Sequence, residues 1–221
     1  MIPTLIGLMT VLLGGWLMLR RSPMALLCAV MAFGLLDGSA ALILTSLGGS
    51  SIPPGRIMLG FLILSCFFMI KEDATLFRRS VVDNSWLIIF CLYGFIGAML
   101  LPRVFRGHMN VYPLRPRAMR HLFDSTPLTF SPQNITTAVY LIGTGLAALC
   151  CYIVIMRSKN LRPIVTTAVI VTVTHAALGV LGVALKGTPW DLVVEFFRNG
   201  TYSQLDQQAK NFVRINGILP E

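Results

Sequence analysis

Long apolar blocks constrain this chain more than any other feature of its sequence. Leu, Ile, Val, Met, Ala and Phe recur in runs of about 20 residues, the helix length that a bilayer core of about 30 Å requires. The chain is 55% hydrophobic and 12% charged over 221 residues, whereas soluble domains carry about 25% charged residues. The sequence therefore predicts an all-α, polytopic transmembrane helical bundle and excludes an ordinary soluble domain.

Six candidate spans are predicted from these runs and their boundary signals. They cover about residues 2–19, 23–47, 54–70, 85–102, 133–156 and 163–185. A serine followed by a proline opens two of them, at Ser22-Pro23 and Ser131-Pro132. Serine is a favoured helix cap and proline suits the first helical turn, so both boundaries are expected to be sharp. A long loop over residues 103–132 separates the fourth and fifth spans.

Basic residues in the short loops predict the orientation. The first, third and fifth loops carry Arg20, Arg21, Lys71, Arg78, Arg79, Arg157, Lys159 and Arg162. Short loops rich in Lys and Arg face the cytoplasm, so the N-terminus, the long loop and everything after Leu185 are expected outside. The net charge of +9 then reflects membrane topology and contact with anionic lipid headgroups. No nucleic-acid partner is expected.

The segment 188–221 is expected to be extracytoplasmic. Thr188-Pro189 has the composition of a helix start, and an apolar stripe follows at the spacing of one helix face. The stripe consists of Trp190, Val193, Val194 and Phe197. This pattern is typical of a short amphipathic helix that lies on a membrane surface. Because the chain then stops soon after Arg214, we expect a fragment or a truncated reading frame.

Two ionisable residues are predicted inside spans, Asp37 in the second and His175 in the sixth. Such residues are costly in lipid and often functional, although pairing with a neighbouring helix is the alternative. The five cysteines lie in apolar blocks without zinc-ligand spacing, and no Walker loop or dinucleotide fingerprint occurs. We expect no cofactor and no metal.

Arginines on the predicted outer side are the stronger functional signal. Arg103 follows the fourth span, and Arg198 and Arg214 lie in the last segment. A guanidinium forms two parallel hydrogen bonds to phosphate or carboxylate oxygens. The set therefore suits an anionic headgroup, a pyrophosphate or an acidic sugar, with ordinary loop solvation as the alternative.

The last segment contains two distinctive stretches, Phe196-Phe-Arg198-Asn-Gly-Thr-Tyr202 and Val213-Arg214-Ile-Asn-Gly217-Ile-Leu-Pro-Glu221. They resemble the corresponding segment of bacterial O-antigen polymerase and O-antigen ligase-like membrane proteins, and the second is similar to the Arg-x-x-Gly motif of that family. Gly48-Gly-Ser-Ser-Ile-Pro-Pro54, Leu101-Pro-Arg103-Val-Phe-Arg-Gly107 and Asn134-Ile-Thr136 look similar to the same branch. Family members are usually larger, so this chain would be their N-terminal half.

The resemblance implies glycosyl transfer at the outer face of the bacterial cytoplasmic membrane, without a metal. A polyprenyl-pyrophosphate-linked glycan would be the donor, and polysaccharide assembly proteins would be possible partners. Arg214 would stabilise the leaving pyrophosphate, Arg103 and Arg198 would bind the donor, and Glu221 is a candidate base by family pattern. The fragment alone is expected to be inactive. A small transporter or flippase component using Asp37 and His175, and a non-catalytic scaffold, remain as alternatives.

Overall fold

The computed structural model of the chain describes residues 2–44, 50–111 and 125–185, together with 188–189, 196, 208–209 and 212–213. Most of these residues are helical. The helices are α1 (Leu5–Leu19), α2 (Pro23–Gly34), α3 (Pro54–Glu72), α4 (Ala74–Asp83), α5 (Ser85–Val104), α6 (Pro132–Ser158) and α7 (Arg162–Ala184). The strands are β1 (Ile2–Pro3), β2 (Leu42–Leu44), β3 (Ser50–Ile52), β4 (Asn110–Val111), β5 (Thr126–Pro127), β6 (Gln208–Ala209) and β7 (Phe212–Val213).

Four helices, α3, α5, α6 and α7, are long and apolar enough to cross a membrane. They coincide within two residues with the third to sixth predicted spans, because charges, prolines and Asn84 bound those runs on both sides. The chain is thus mostly helical with the character of a membrane protein. The predicted count of six spans is not confirmed, because the first two runs fold differently.

The first run begins as a strand. Ile2–Pro3 pairs antiparallel with β2, and α1 starts only at Leu5, where the Thr4 hydroxyl accepts a hydrogen bond from the Gly7 N–H at 3.0 Å. This side-chain cap fixes the start of the helix. With 15 residues, α1 is about 22 Å long, shorter than the hydrocarbon core of about 30 Å.

The prediction of one helix over 23–47 is wrong. α2 has 12 residues and ends at Gly34; a turn then carries Asp37, and Leu42–Leu44 forms the central strand of the sheet β1-β2-β3. The turn and strand allow Asp37 to approach Arg56, which a continuing helix would not. A short apolar run such as Leu-Ile-Leu is compatible with either helix or strand, so periodicity alone could not decide it.

The structure divides into two compact units, Met1–Ser80 with Leu149–Glu221, and Val81–Ala148. In the first unit, α1 and α2 pack on α3, and α7 packs on α2. β1 leads into α1 and β3 leads into α3, so both helices leave the sheet in the same direction while α2 returns toward it. We call the β1-β2-β3 side of this unit its sheet end.

The opposite side of the first unit, its basic end, holds the C-terminal ends of α1 and α3. α6 also ends there, because Arg157 forms an ion pair of 2.7 Å with Glu72, the last residue of α3. Earlier in the same two helices, farther from the basic end, the Cys66 thiol donates to the Cys150 carbonyl at 3.9 Å. These two contacts make the last part of α6 run parallel to α3.

The second unit contains α5, the first part of α6 and the hairpin β4-β5. The Leu141 side chain lies directly against Gly94, and the Cys91 sulfur lies 3.1 Å from the position of a Cβ on Gly145. Glycine therefore lets α5 and α6 approach at these two points, as small residues commonly do between membrane helices.

The helix α4 was not predicted from the sequence. Asp73 ends α3 and accepts hydrogen bonds from the N–H of Thr75 at 3.0 Å and from its hydroxyl at 2.5 Å. The hydrogen bond from the Thr75 hydroxyl is the main reason that the pKa of Asp73 lies below its ordinary value. This cap explains why the charged run Lys71-Glu-Asp73 ends one helix and begins another.

Candidate functional site

Arg103 occupies the last turn of α5, where this candidate span ends. Its side chain is exposed, and so are those of Arg106 and His108 on the turn that follows. A cation in the last helical turn is favoured by the partial negative charge of the helix C-terminus. The end of α5 and the turn after it therefore present two exposed arginines, Arg103 and Arg106, on the surface of the second unit.

The Arg103 guanidinium stacks on an aromatic ring. Its central carbon lies 4.1 Å from the centre of the Phe130 ring, just before α6 begins. The five N–H donors of a guanidinium lie in its plane, so a stacked guanidinium keeps its hydrogen-bonding edge open. Phe130 restricts the orientation of Arg103 while leaving it able to bind an anion in the bidentate manner.

The short hairpin β4-β5 shapes the surroundings of Arg103. The Leu128 N–H donates to the Met109 carbonyl at 2.8 Å, and the Gly107 N–H donates to the Leu128 carbonyl at 3.4 Å. Gly107 has a φ of +76°, a conformation that glycine adopts readily and other residues do not. The turn at Gly107 thus brings the strand that precedes Phe130 back alongside the end of α5.

Asp37 lies at the sheet end of the first unit, outside the four long helices. Burial raises the pKa of its carboxyl above the ordinary value, and the positive charge of Arg56 in the first turn of α3 opposes this rise. Asp37 is thus a half-buried acid beside a cation, near the packed segment Ser39–Ala41. This arrangement suits a structural tie between α2 and α3 as well as it suits a binding site.

His175 lies in the middle of α7, as predicted. Its Nδ1 atom is buried and has no hydrogen-bond partner among the residues that the structure describes. A buried ring nitrogen without a partner is unusual. The structure places His175 in a helix and Asp37 in a turn, and the depth of either residue in a membrane stays a prediction.

Three predicted site residues, Arg198, Arg214 and Glu221, lie outside the described residues, as do Arg115, Arg117, Arg120 and His121. Their proximity to Arg103 stays a prediction. The predicted surface helix after Thr188 also falls almost entirely on residues that are not described. Within the described ranges, no group of three or more His, Cys, Asp or Glu residues could hold a metal ion.

Two partners of predicted site residues were not predicted from the sequence. Phe130, on the other side of the loop in the sequence, contacts the Arg103 guanidinium with its ring. Arg56, in the first turn of α3, lies close enough for its positive charge to oppose the rise that burial causes in the pKa of Asp37. The usable signal in the sequence was the position of Phe130, one residue before Ser131-Pro132 and so next to the start of a predicted span. Comparison with protein-family models, curated proteins and solved structures finds no match to this chain.

Proposed function

We propose that this chain is part of a membrane glycan polymerase or ligase-like protein that acts on a polyprenyl-pyrophosphate-linked polysaccharide. The reaction would take place at the outer face of the cytoplasmic membrane of a bacterium. One observation carries the proposal: the end of α5 presents the exposed Arg103 stacked on Phe130, with Arg106 close behind in the chain. A pre-oriented guanidinium at the end of a candidate span suits the pyrophosphate of a lipid-linked donor.

The chemistry assigns different tasks to the arginines. An acceptor hydroxyl attacks the anomeric carbon of the donor, the carbon–oxygen bond to the pyrophosphate breaks, and the hydroxyl proton passes to a base. Negative charge grows on the leaving pyrophosphate, so a cation aimed at it lowers the barrier. We assign that task to Arg214, donor binding to Arg103 and Arg198, and the base to Glu221.

The distribution of charge within the first unit supports the orientation that this proposal needs. The basic end carries Arg20, Arg21, Lys71, Arg157 and Lys159, whereas the sheet end has Arg56 offset by Asp37. By the positive-inside rule the basic end faces the cytoplasm. For the second unit, the proposal takes the orientation that the basic short loops predict, with Arg103 on the outer face.

Cysteine labelling tests this orientation. In a variant whose five native cysteines are replaced by alanine, Arg106→Cys should react with a membrane-impermeant maleimide in intact cells. Lys159→Cys should react only after the cells are opened, because the proposal assigns these two exposed side chains to opposite faces of the membrane. Labelling of Lys159→Cys in intact cells, with Arg106→Cys protected, would reverse the orientation and remove the outer-face reaction.

Binding of a polyprenyl pyrophosphate to the purified protein in nanodiscs tests the site. Arg103→Gln should weaken binding about tenfold, because a hydrogen bond to a charged group contributes about 1.5–3 kcal/mol. Phe130→Ala should weaken it about threefold through loss of the cation–π contact. The matched control is Arg79→Gln, an exposed arginine on α4. Equal losses for Arg103→Gln and Arg79→Gln would show non-specific attraction and contradict the proposal.

A transporter or flippase component is a second candidate, favoured by the buried Nδ1 of His175 inside α7, which has no hydrogen-bond partner within the described ranges. A transporter moves a lipid-linked glycan across the bilayer without lengthening it, whereas a polymerase lengthens it. Loss of the protein in its native cells therefore separates the two. Short glycans accumulated on the outer face support the polymerase, and glycans retained on the inner face support the transporter.

A further inference from the structure

Two residues of the described chain other than glycine have a positive φ, Arg21 at 49° and Lys159 at 53°. Both are basic and both are exposed. The left-handed conformation is unfavourable for a residue with a Cβ, and glycine is its usual occupant. A backbone outlier of this kind is a reason to look for a function.

Both residues sit immediately past the end of a helix. After α1, the Arg21 N–H donates to the Met18 carbonyl at 3.0 Å and the Ser22 N–H donates to the Leu17 carbonyl at 3.4 Å, which is the Schellman arrangement. After α6, the Lys159 N–H donates to the Ile155 carbonyl at 2.9 Å, the simpler left-handed cap. Glycine is the commonest residue at this position, yet both caps here carry a long cationic side chain.

Arg21 and Lys159 belong to the same end of the first unit. α1 runs parallel to α3, and the ion pair between Arg157 and Glu72 holds the end of α6 beside the end of α3. Glu72 is paired with Arg157, and Asp73 is bonded to Thr75 as the cap of α4. The two acids at this end are thus already engaged, which leaves an excess of positive charge on its surface.

Aromatic side chains mark the level of this end in the membrane. The Arg20 guanidinium lies 4.1 Å from the Trp16 ring centre, and the Lys71 ammonium lies 4.9 Å from the Phe67 ring centre. Trp16 is 48% exposed and Phe67 53% exposed. Exposed rings one helical turn below a cation are typical of the boundary between hydrocarbon and headgroups, where basic side chains extend toward the phosphates.

We propose that the basic end of the first unit, including Arg21 and Lys159, binds the phosphates of anionic phospholipids in the adjoining leaflet. The left-handed caps project two cations from the helix ends at headgroup level, at a cost in backbone strain that glycine would avoid. A lipid leaflet is the partner that fits this end, because exposed aromatic rings suit the edge of the hydrocarbon core and the neighbouring cations suit the phosphates. The proposal does not depend on the glycan activity.

Electrostatic support of the helix ends is the competing explanation, because cations are favoured at helix C-termini. The two explanations differ in what glycine does. If the charges serve the helices, glycine at both positions destabilises the protein in any lipid. If the charges bind anionic lipid, glycine relieves backbone strain and does not destabilise the protein in a neutral bilayer. The glycine variant then differs from the wild type only in weaker binding of anionic lipid.

The experiment uses the full chain in nanodiscs of phosphatidylcholine, with and without phosphatidylglycerol. The double variant Arg21→Gly with Lys159→Gly should bind phosphatidylglycerol roughly 25-fold more weakly in native mass spectrometry, since each basic residue near the surface contributes about fivefold. In phosphatidylcholine alone it should resist unfolding as well as the wild type or better. The charge-preserving variant Arg21→Lys with Lys159→Arg should retain the wild-type affinity.

Three results would overturn the proposal. The first is an unchanged phosphatidylglycerol affinity in the glycine variant. The second is an equal loss of stability in both lipids, which would assign Arg21 and Lys159 to the helix ends. Glycerol phosphate in solution should not compete with the lipid; full competition would replace the leaflet by a site for soluble phosphate and likewise overturn the assignment.

Discussion

Replacement of Gly7 by alanine is expected to destabilise the first unit by about 3 kcal/mol, at the upper end of the usual cost of overpacking. Gly7 is buried in α1, and a Cβ there would collide with the backbone carbonyl of Ala41. That carbonyl cannot easily move, because the Thr4 N–H donates to it at 3.2 Å and the Ala41 N–H is bonded to the Ile52 carbonyl at 2.9 Å.

Two other glycines of α1 provide matched controls. A Cβ at Gly14 would collide with the Phe61 ring, a side chain that can rotate, and a Cβ at Gly15 has nothing within 4 Å. Gly14→Ala should therefore cost less than Gly7→Ala. Gly15→Ala should stabilise the protein by up to about 1 kcal/mol through helix propensity. Pulse proteolysis of the three variants in detergent measures this order, and an equal effect at all three sites would contradict the close packing of α1 on the sheet.

The four long helices could be predicted from the sequence because lipid leaves the backbone few choices. Over about 20 apolar residues only a helix satisfies its own hydrogen bonds in the hydrocarbon core. Each of these runs also has clear ends, such as Pro54 and Lys71 around α3 or Arg157 and Arg162 between α6 and α7. Length and boundary chemistry together were sufficient, without knowledge of any tertiary contact.

The prediction of one helix over the second run was wrong because tertiary contacts decide its fold, and the same contacts make the first run begin with a strand. Leu42–Leu44 is as apolar as a helix core, but it forms a strand once both Ile2–Pro3 and Ser50–Ile52 are available to pair with it. The Thr4 hydroxyl adds a hydrogen bond of 2.6 Å to the Ala40 carbonyl, across 36 residues of chain. Such distant pairings leave no periodic signal in the sequence. Gly34 and Gly38 were the available warnings of a break.

The candidate site was predictable in its residue types but not in its contacts. Arg103 stands out in the sequence because it follows a long apolar run beside Arg106. Its stacking on Phe130 depends on the hairpin β4-β5, which connects residues on either side of a loop. The cap of α4 by Asp73 was likewise not predicted. The charged run that contains Asp73 indicated the end of a span, but not the start of another helix.

Replacement of Arg214 by lysine in the full-length protein, in cells that make the native polysaccharide, is expected to lower the rate of glycan chain extension about 100-fold. Lysine keeps the positive charge but lacks the planar fork of donors that can hold two oxygens of a pyrophosphate at once. The loss of one oriented donor to charge that develops in a transition state typically costs a factor of 10² to 10³. The length distribution of the glycan on a gel measures the effect, as a shift from long chains to single repeats.

Arg79→Lys is the matched control for Arg214→Lys, because it makes the same change at an exposed arginine of α4 on the predicted inner side. It should leave the glycan lengths unchanged. Arg103→Lys should give an intermediate distribution that a higher concentration of lipid-linked donor restores, since Arg103 binds the donor in the ground state as well as in the transition state. A wild-type ladder in the Arg214→Lys strain, with the protein present at normal levels, would remove Arg214 from the mechanism. Donor binding at Arg103 would then have to be tested as an activity of its own.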